Sequence, residues 1–245
     1  MLPDHLKDEF RKIQANKQGA HSESKPYIYD RQRGFSRYET DFGPLLEGRR
    51  FTEIIQSKLS QKGSCAVLDI ACGEGNFLFD IDEAFKEQSV APHLTGVDYI
   101  GRSSLLETKP DINWIKGNLD TVFIPGKFDL IVGNWFFLYT THPMWNLKRA
   151  THWLAVGGEA FFHPFDIQFA SEIHARKIIE AFTTQPSFEL NWKFNDRSGG
   201  TNLWMKRTGT GPLLIPMAVD HFNPDRSPLK HQAVYRFRQL QKDDD

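Results

Sequence analysis

The stretch VLDIACGEGNF, residues 67–77, decides the fold of this chain. An apolar run carries the acidic residue Asp69 at its end, and a Gly-x-Gly turn made by Gly73 and Gly75 leads into a helical pattern. This order of strand, glycine turn and helix is typical of a doubly wound α/β sheet, whose ligands bind at the carboxyl ends of the strands. The two glycines allow a tight turn and a close approach of the backbone to a ligand.

A second acidic residue stands at the position where such a sheet uses one. Asp98 ends the apolar run GVD and follows Gly75 by 23 residues. In nucleotide-binding sheets a carboxylate at the end of the second strand accepts hydrogen bonds from the ribose hydroxyls. A Gly-x-Gly turn alone is a weak signal, but with the strand, the helix and this carboxylate it predicts a nucleoside site.

The charge of the glycine loop indicates which nucleoside it holds. Asp69 lies at the entrance of the loop and Glu74 lies inside it, and carboxylates there would repel a pyrophosphate. A dinucleotide fingerprint also requires a third glycine at the position of Leu78. The pattern disfavours a nicotinamide-dependent oxidoreductase and favours a cationic nucleoside without phosphate, a requirement that S-adenosylmethionine meets.

Residues 65–207 alternate short apolar runs with helical patterns, which predicts a mostly parallel sheet. The last two predicted strands are joined by too few residues for a parallel crossover, so they should form an antiparallel hairpin. We expect helices after Pro44, along 77–85, along 144–154 with Gly157-Gly158 as the C-cap, and along 169–182. The predicted strands are 65–71, 94–100, 112–117, 128–134, 159–164, 188–194 and 202–207.

Three regions of different composition predict the organisation of the chain. Residues 1–43 are polar, with a loop-like stretch over 20–43, and are expected to form a covering or lid segment. Residues 44–207 form the predicted α/β domain, and residues 208–245, which contain several prolines and basic residues, form a second covering segment.

Composition excludes several classes of protein. The chain has 245 residues, of which 40% are hydrophobic and 25% charged, with a net charge of −1; this balance disfavours a partner held by long-range attraction, such as bulk nucleic acid. Its two cysteines form neither a disulfide framework nor a CxxC metal motif. With no apolar stretch suited to a signal or a membrane span, we expect a cytoplasmic protein without a metal site.

Several motifs taken together resemble those of the class I S-adenosylmethionine-dependent methyltransferases over residues 44–207. The residues that carry the resemblance are VLDIACGEGNF, GVDYI, KGNL (116–119), FDLIVGNWFFL (128–138) and LAVGGEAFFH (154–163). The resemblance implies a doubly wound seven-stranded α/β sheet of order 3-2-1-4-5-7-6, with strand 7 antiparallel and helices on both faces. It also implies S-adenosylmethionine as the cofactor.

The resemblance further implies individual roles. Asp69 and the backbone of 71–75 would face the methionine part of the cofactor, Asp98 the ribose, Asn118 the adenine amino group, and Asn134 the sulfonium and the substrate. Ala71 replaces a glycine of the family motif and Asn118 an aspartate. The implied cofactor-binding residues are Asp69, Ala71, Cys72, Gly73, Gly75, Asp98, Tyr99, Asn118, Leu119, Asn134 and Trp135.

Most candidates for binding the methyl acceptor, or for removing its proton, follow the ends of the predicted strands. A general base is needed only for an acceptor with a proton to lose; His163 and His142 are the candidates, and either can instead be structural or a helix-start residue. Trp135 and Tyr139 could line a substrate pocket. Arg33 could bind an acidic substrate from the lid or belong to a solvated basic loop, and His221 is a weaker candidate.

These observations favour a methyltransferase that transfers the methyl group to a small molecule by in-line displacement. Two alternatives stay open: a non-catalytic binding or interaction protein of the same fold, and a methyltransferase that acts on protein or RNA. Asn134-Trp135-Phe136-Phe137 partly resembles the Asn-Pro-Pro-Tyr/Phe motif of enzymes that methylate planar amines, but lacks both prolines.

Overall fold

The computed structural model describes residues 35–98, 111–119, 121–134, 143–163, 181, 184–195 and 200–214. The helices are α1 (Phe35–Leu46), α2 (Phe51–Lys62), α3 (Asn76–Phe85) and α4 (Pro143–Trp153). The strands are β1 (Ala66–Ile70), β2 (His93–Asp98), β3 (Ile112–Lys116), β4 (Phe128–Asn134), β5 (Leu154–His163), β6 (Phe188–Asn195) and β7 (Gly200–Arg207).

The strands form one sheet of order β3-β2-β1-β4-β5-β7-β6. The first five strands in the chain pair in parallel, and β7 runs antiparallel to both β5 and β6. The predicted fold class, strand order and final hairpin are confirmed. The order reverses between β1 and β4, and Asp69 on β1 pairs there with Val132 on β4.

Each face of the sheet carries its own apolar core, because successive strand residues point to opposite faces. On one face Val67, Val132 and Phe161 pack with helices α1, α2 and α3. On the other face Leu68, Ile131 and Phe162 pack in the cluster that includes Leu147 and Ala150 of α4. Helices therefore cover both faces, as the resemblance implied.

Helix α1 lies where the sequence pattern favours a loop. The loop expectation over 20–43 is wrong from Phe35 onward, and the helix continues through Pro44 to Leu46. Tyr38 and Phe42 are buried on the side of α1 that faces the sheet. A buried aspartate on the same side and the internal proline weaken the apolar periodicity by which a helix is predicted.

The glycine pair Gly157-Gly158 does not cap a helix, contrary to the expectation. Helix α4 ends at Trp153, β5 begins at the next residue, and Gly157 lies inside β5 with a φ of 79°. The pairing of β4 with β5 shifts register between Phe128 and Leu130. A left-handed glycine at such an irregularity lets the strand bulge and then rejoin the ladder.

The helix predicted after Pro44 is confirmed as α2, and Gly63 ends it in the left-handed conformation with its N–H bonded to the Leu59 carbonyl at 2.8 Å. The helix along 77–85 is confirmed as α3. The helix predicted along 169–182 falls almost entirely outside the described residues.

Substitution of Phe42 tests how much the packing of α1 stabilises the protein. Its ring is fully buried and lies 5.8 Å from the Phe51 ring and 5.9 Å from the Phe161 ring. We expect Phe42→Ala to lower the free energy of unfolding by about 3–5 kcal/mol, because it leaves a cavity. Phe123→Ala, at a residue that is 82% exposed, should change it by less than about 0.5 kcal/mol. Urea denaturation measures both, and equal effects would contradict the packing of α1.

Candidate functional site

The loop after β1 is shaped by three residues with positive φ. Ala71, Gly73 and Gly75 have φ values of 60°, 57° and 80°. The N–H groups of Ala71 and Cys72 both donate to the Val97 carbonyl, at 2.8 and 3.2 Å. The loop is therefore folded against the end of β2. Ala71 occupies a left-handed position that glycine adopts without strain, which explains why the family motif has glycine there.

Asp98 joins the loop to the neighbouring strands. It is only 8% exposed, and its Oδ2 accepts a hydrogen bond of 2.9 Å from the N–H of Gly73. Its backbone carbonyl accepts from the N–H of Gly117, at the end of β3. A carboxylate has about four lone-pair positions, and the bond to Gly73 occupies one of them.

Asn118 and Leu119 follow β3 at the same edge of the sheet. Asn118 is half-buried, Leu119 is buried, and the Asn118 carbonyl accepts from the N–H groups of Thr121 and Val122. The backbone of this turn is therefore held by its own hydrogen bonds. The predicted cofactor residues that the structure describes after β1, β2 and β3 lie together along one edge.

Asp69 is a fully buried carboxylate at the end of β1. Both of its oxygens lie 3.1 Å from the hydroxyl of Tyr38 on α1. Burial raises the pKa of Asp69 well above its usual value; the Tyr38 hydrogen bond opposes the shift, and the charge of Asp98 adds to it. Desolvation destabilises the ionised form, so a cation nearby would favour ionisation.

Asn134 at the end of β4 is bound to the same helix. Its Nδ2 donates to Oδ2 of Asp41 at 3.0 Å, and Nε of Arg37 donates to that oxygen at 3.0 Å. Asn134 and Asp41 are both buried, whereas the Arg37 side chain is 45% exposed. The guanidinium thus balances the Asp41 charge from the solvent side of the helix.

His163 at the end of β5 is fully buried, and its ring lies edge-on to the Phe42 ring. Its Nδ1 is hydrogen-bonded to Oδ1 of Asn202, whose Nδ2 donates to the Asp41 carbonyl at 2.7 Å. Because that carbonyl can only accept, the Asn202 oxygen faces His163, and Nδ1 must carry a proton. In the neutral ring Nε2 is then the basic nitrogen.

Sequence reasoning missed three residues of this site: Tyr38 and Asp41 on α1, and Asn202 on β7. The helical spacing of Phe35, Tyr38 and Phe42 was a signal for α1, but no local pattern indicates which strand ends these residues contact. Asn202 sits in an ordinary strand sequence, and its partners become evident only when β7 is placed beside β5.

Several predicted site residues lie outside the described residues, so their roles stay predictions. The members of this set are Arg33, Tyr99, Trp135, Tyr139, His142 and His221. Cys72 and Cys65 are both buried free thiols, and burial raises the pKa of Cys65 to about 12. Such thiols are poor nucleophiles, so both cysteines act here as small buried side chains.

No helix in the described ranges is long and apolar enough to cross a membrane. Within the same ranges, no three side chains of His, Cys, Asp or Glu gather as a possible metal site.

Asp69 makes the free energy of unfolding depend on pH. Its folded-state pKa lies above the ordinary value of 3.8, so the native state holds a proton that the unfolded state releases. Its contribution to stability is therefore full below about pH 4 and is lost as the pH rises toward the folded-state pKa. We expect the stability of Asp69→Asn relative to wild type to increase above pH 4, measured by denaturation between pH 4 and 8.

The exposed Asp111 supplies the matched control. Asp111→Asn should change stability by a small amount without a comparable rise over this pH range. An Asp69→Asn advantage that stays constant or shrinks with rising pH would show that the Asp69 carboxyl is not destabilised by burial.

The likeness of this chain to known proteins is distant. No protein-family model and no curated protein matches the chain. Among solved structures it is similar to the plantazolicin methyltransferase BpumL in complex with a pentazolic desmethylPZN analogue and S-adenosylhomocysteine, at 14% identity over 81% of this chain and 91% of that chain, with a TM-score of 0.49.

Two further structures show a likeness of the same order. A Listeria monocytogenes protein assigned to the class I S-adenosylmethionine-dependent methyltransferases is 13% identical over 86% of this chain and 72% of its own, with a TM-score of 0.48. A Methanococcus maripaludis protein assigned to the S-adenosylmethionine-dependent methyltransferases is 15% identical over 72% and 91%, with a TM-score of 0.40. The strand order β3-β2-β1-β4-β5-β7-β6 is the seven-stranded order that the sequence resemblance to class I methyltransferases implied.

Proposed function

We propose that this protein is an S-adenosylmethionine-dependent methyltransferase whose acceptor is a small molecule. The observation that carries the proposal is the arrangement of Asp98, Gly73 and Asp69 at the carboxyl ends of β1 and β2. A sharply turned glycine loop is hydrogen-bonded to one carboxylate and lies beside a second, buried one. This arrangement suits a ribose and a cationic group, and both are parts of that cofactor.

The N–H groups of the loop support a ligand without phosphate. In dinucleotide sites such groups point toward the pyrophosphate. Here the N–H of Gly73 donates to Asp98 and that of Gly75 donates to the Cys72 carbonyl at 2.9 Å. With these two donors used inside the protein and carboxylates nearby, a diphosphate would meet few donors and a negative field.

In the proposed reaction the protein acts chiefly by positioning. The bound cofactor supplies a methyl carbon that its sulfonium has already activated. Asp98 would hold the ribose and Asn118 the adenine, which sets the direction of the methyl group relative to the acceptor. Holding the two reactants in line while excluding water can contribute about 7–11 kcal/mol.

In this proposal, residues 1–43 and 208–245 cover the site that binds the methyl acceptor. The candidates for contact with that acceptor are Arg33, Trp135 and Tyr139. For an alcohol or phenol acceptor, His163 would take the proton on Nε2, because its Nδ1 is bonded to Asn202; His142 is the second candidate for this role. A small-molecule acceptor agrees with a net charge of −1 and with the absence of a recognised nucleic-acid module in the sequence.

Binding of S-adenosylhomocysteine, measured by calorimetry, tests the proposal. We expect the wild type to bind it and Asp98→Ala to bind at least a hundredfold more weakly, since two charge-assisted hydrogen bonds to the ribose are lost. Asp111→Ala, at an exposed position, should bind as the wild type does. Absence of binding to a folded wild type at millimolar ligand, or tight binding of NADH instead, would contradict the proposal.

Transfer of labelled methyl groups from S-adenosylmethionine separates the remaining alternatives. Label in the small-molecule fraction of a cell extract supports the proposed acceptor class, whereas label in protein or RNA replaces it. Binding of the cofactor without transfer to any fraction would indicate a non-catalytic protein of the same fold.

A further inference from the structure

The strand residues that face helix α1 change from apolar to polar at the carboxyl edge of the sheet. Along each strand, alternate residues point to the same face, and this face carries Val67, Val132, Phe161 and Trp204 in its apolar cluster. The next residues on the same face toward that edge are polar and buried: Asp69, Asn134, His163 and Asn202. A layer of buried polar groups therefore lies between α1 and the strand ends.

The orientation of the Asn134 amide is determined by Asp41. The Asp41 carboxylate can only accept hydrogen bonds, so the NH₂ group of Asn134 must face it, at 3.0 Å. The carbonyl oxygen of Asn134 consequently faces away from Asp41. This oxygen is buried and makes no hydrogen bond within the described structure, although the residue is only 4% exposed.

A second buried acceptor with unused capacity lies on the neighbouring strand. Asp69 pairs with Val132, two residues before Asn134, so Asp69 and Asn134 share a face with Cα atoms about 8 Å apart from strand spacing and rise. Asp69 is fully buried, and within the described ranges its carboxylate accepts only from the Tyr38 hydroxyl. Buried acceptors are normally paired, so this pair points to a ligand that brings donors and positive charge.

We propose that the carbonyl oxygen of Asn134 binds the α-ammonium group of the cofactor, and that Asp41 is the positioning residue that turns this oxygen toward it. The inference rests on the proposed function, because that cofactor supplies the ammonium. An ammonium group has three donors, so it can bond to Asn134 and still lie close to the Asp69 carboxylate. Helix α1 thereby takes part in cofactor binding through Asp41 and Tyr38.

The test compares S-adenosylhomocysteine with its desamino analogue, in which hydrogen replaces the α-amino group, by calorimetry on the full chain. We expect the wild type to bind the desamino analogue about tenfold or more weakly than S-adenosylhomocysteine. Asn134→Leu, which keeps the volume and removes the acceptor, should lose about tenfold for S-adenosylhomocysteine and less than twofold for the analogue. One charge-assisted hydrogen bond accounts for a change of this size.

Asp41→Asn provides the second variant, since it keeps the shape but no longer dictates which way the Asn134 amide points. Its loss should again be confined to S-adenosylhomocysteine, at about threefold to tenfold. Asn113→Leu, on the exposed side of β3, is the matched control and should bind both ligands as the wild type does. A merely structural role for Asp41 would weaken both ligands alike.

Three results would overturn the inference while leaving the proposed function intact. They are equal binding of the two ligands by the wild type, unchanged S-adenosylhomocysteine binding by the Asn134 and Asp41 variants, and equal losses for both ligands in these variants. If the folded wild type binds neither ligand, the proposed function fails and this inference fails with it.

Discussion

Hydrogen bonds from helix α1 to the ends of β1 and β4 determine the character of the site. The Tyr38 hydroxyl meets the carboxylate of Asp69, and the Asp41 carboxylate meets the amide of Asn134. These are the two strands between which the order of the sheet reverses, where doubly wound sheets bind their ligands. Because buried polar groups require partners, the helix and the strand ends stabilise each other, and α1 becomes a wall of the site.

The charges at this edge of the sheet help to determine which ligand can bind. Asp98 and Asp41 bring two carboxylates to this region, and Arg37 offsets the second from a partly exposed position. The buried Asp69 adds a third acidic group, whose ionised form a bound cation would favour. Low-dielectric surroundings strengthen these fields. A cationic nucleoside is therefore favoured over a phosphorylated one, and the glycine loop agrees because two of its N–H groups donate to the protein itself.

Most strands were predicted close to their bounds because local pattern is sufficient for a short apolar run between turn residues. The exception is β5, which was predicted over 159–164 and begins at Leu154. β4 matches its predicted bounds, and β1 differs by one residue at each end. Helix α1 was missed because Asp41 interrupts its apolar face and Pro44 stands inside it. Gly157 was misinterpreted because a left-handed glycine serves equally at a helix end and at a bulge in a strand, and only the pairing of β5 with β4 distinguishes the two.

The sequence by itself determined the sheet, the glycine loop and the position of Asp98, since these depend on residues close together in the chain. Only the tertiary structure decided which groups meet Asp69, Asn134 and Asn202. Those partners lie 31, 93 and 161 residues away along the chain. Contacts over such separations arise from how the elements pack, and a polar side chain on a strand has the same local pattern whichever helix covers it.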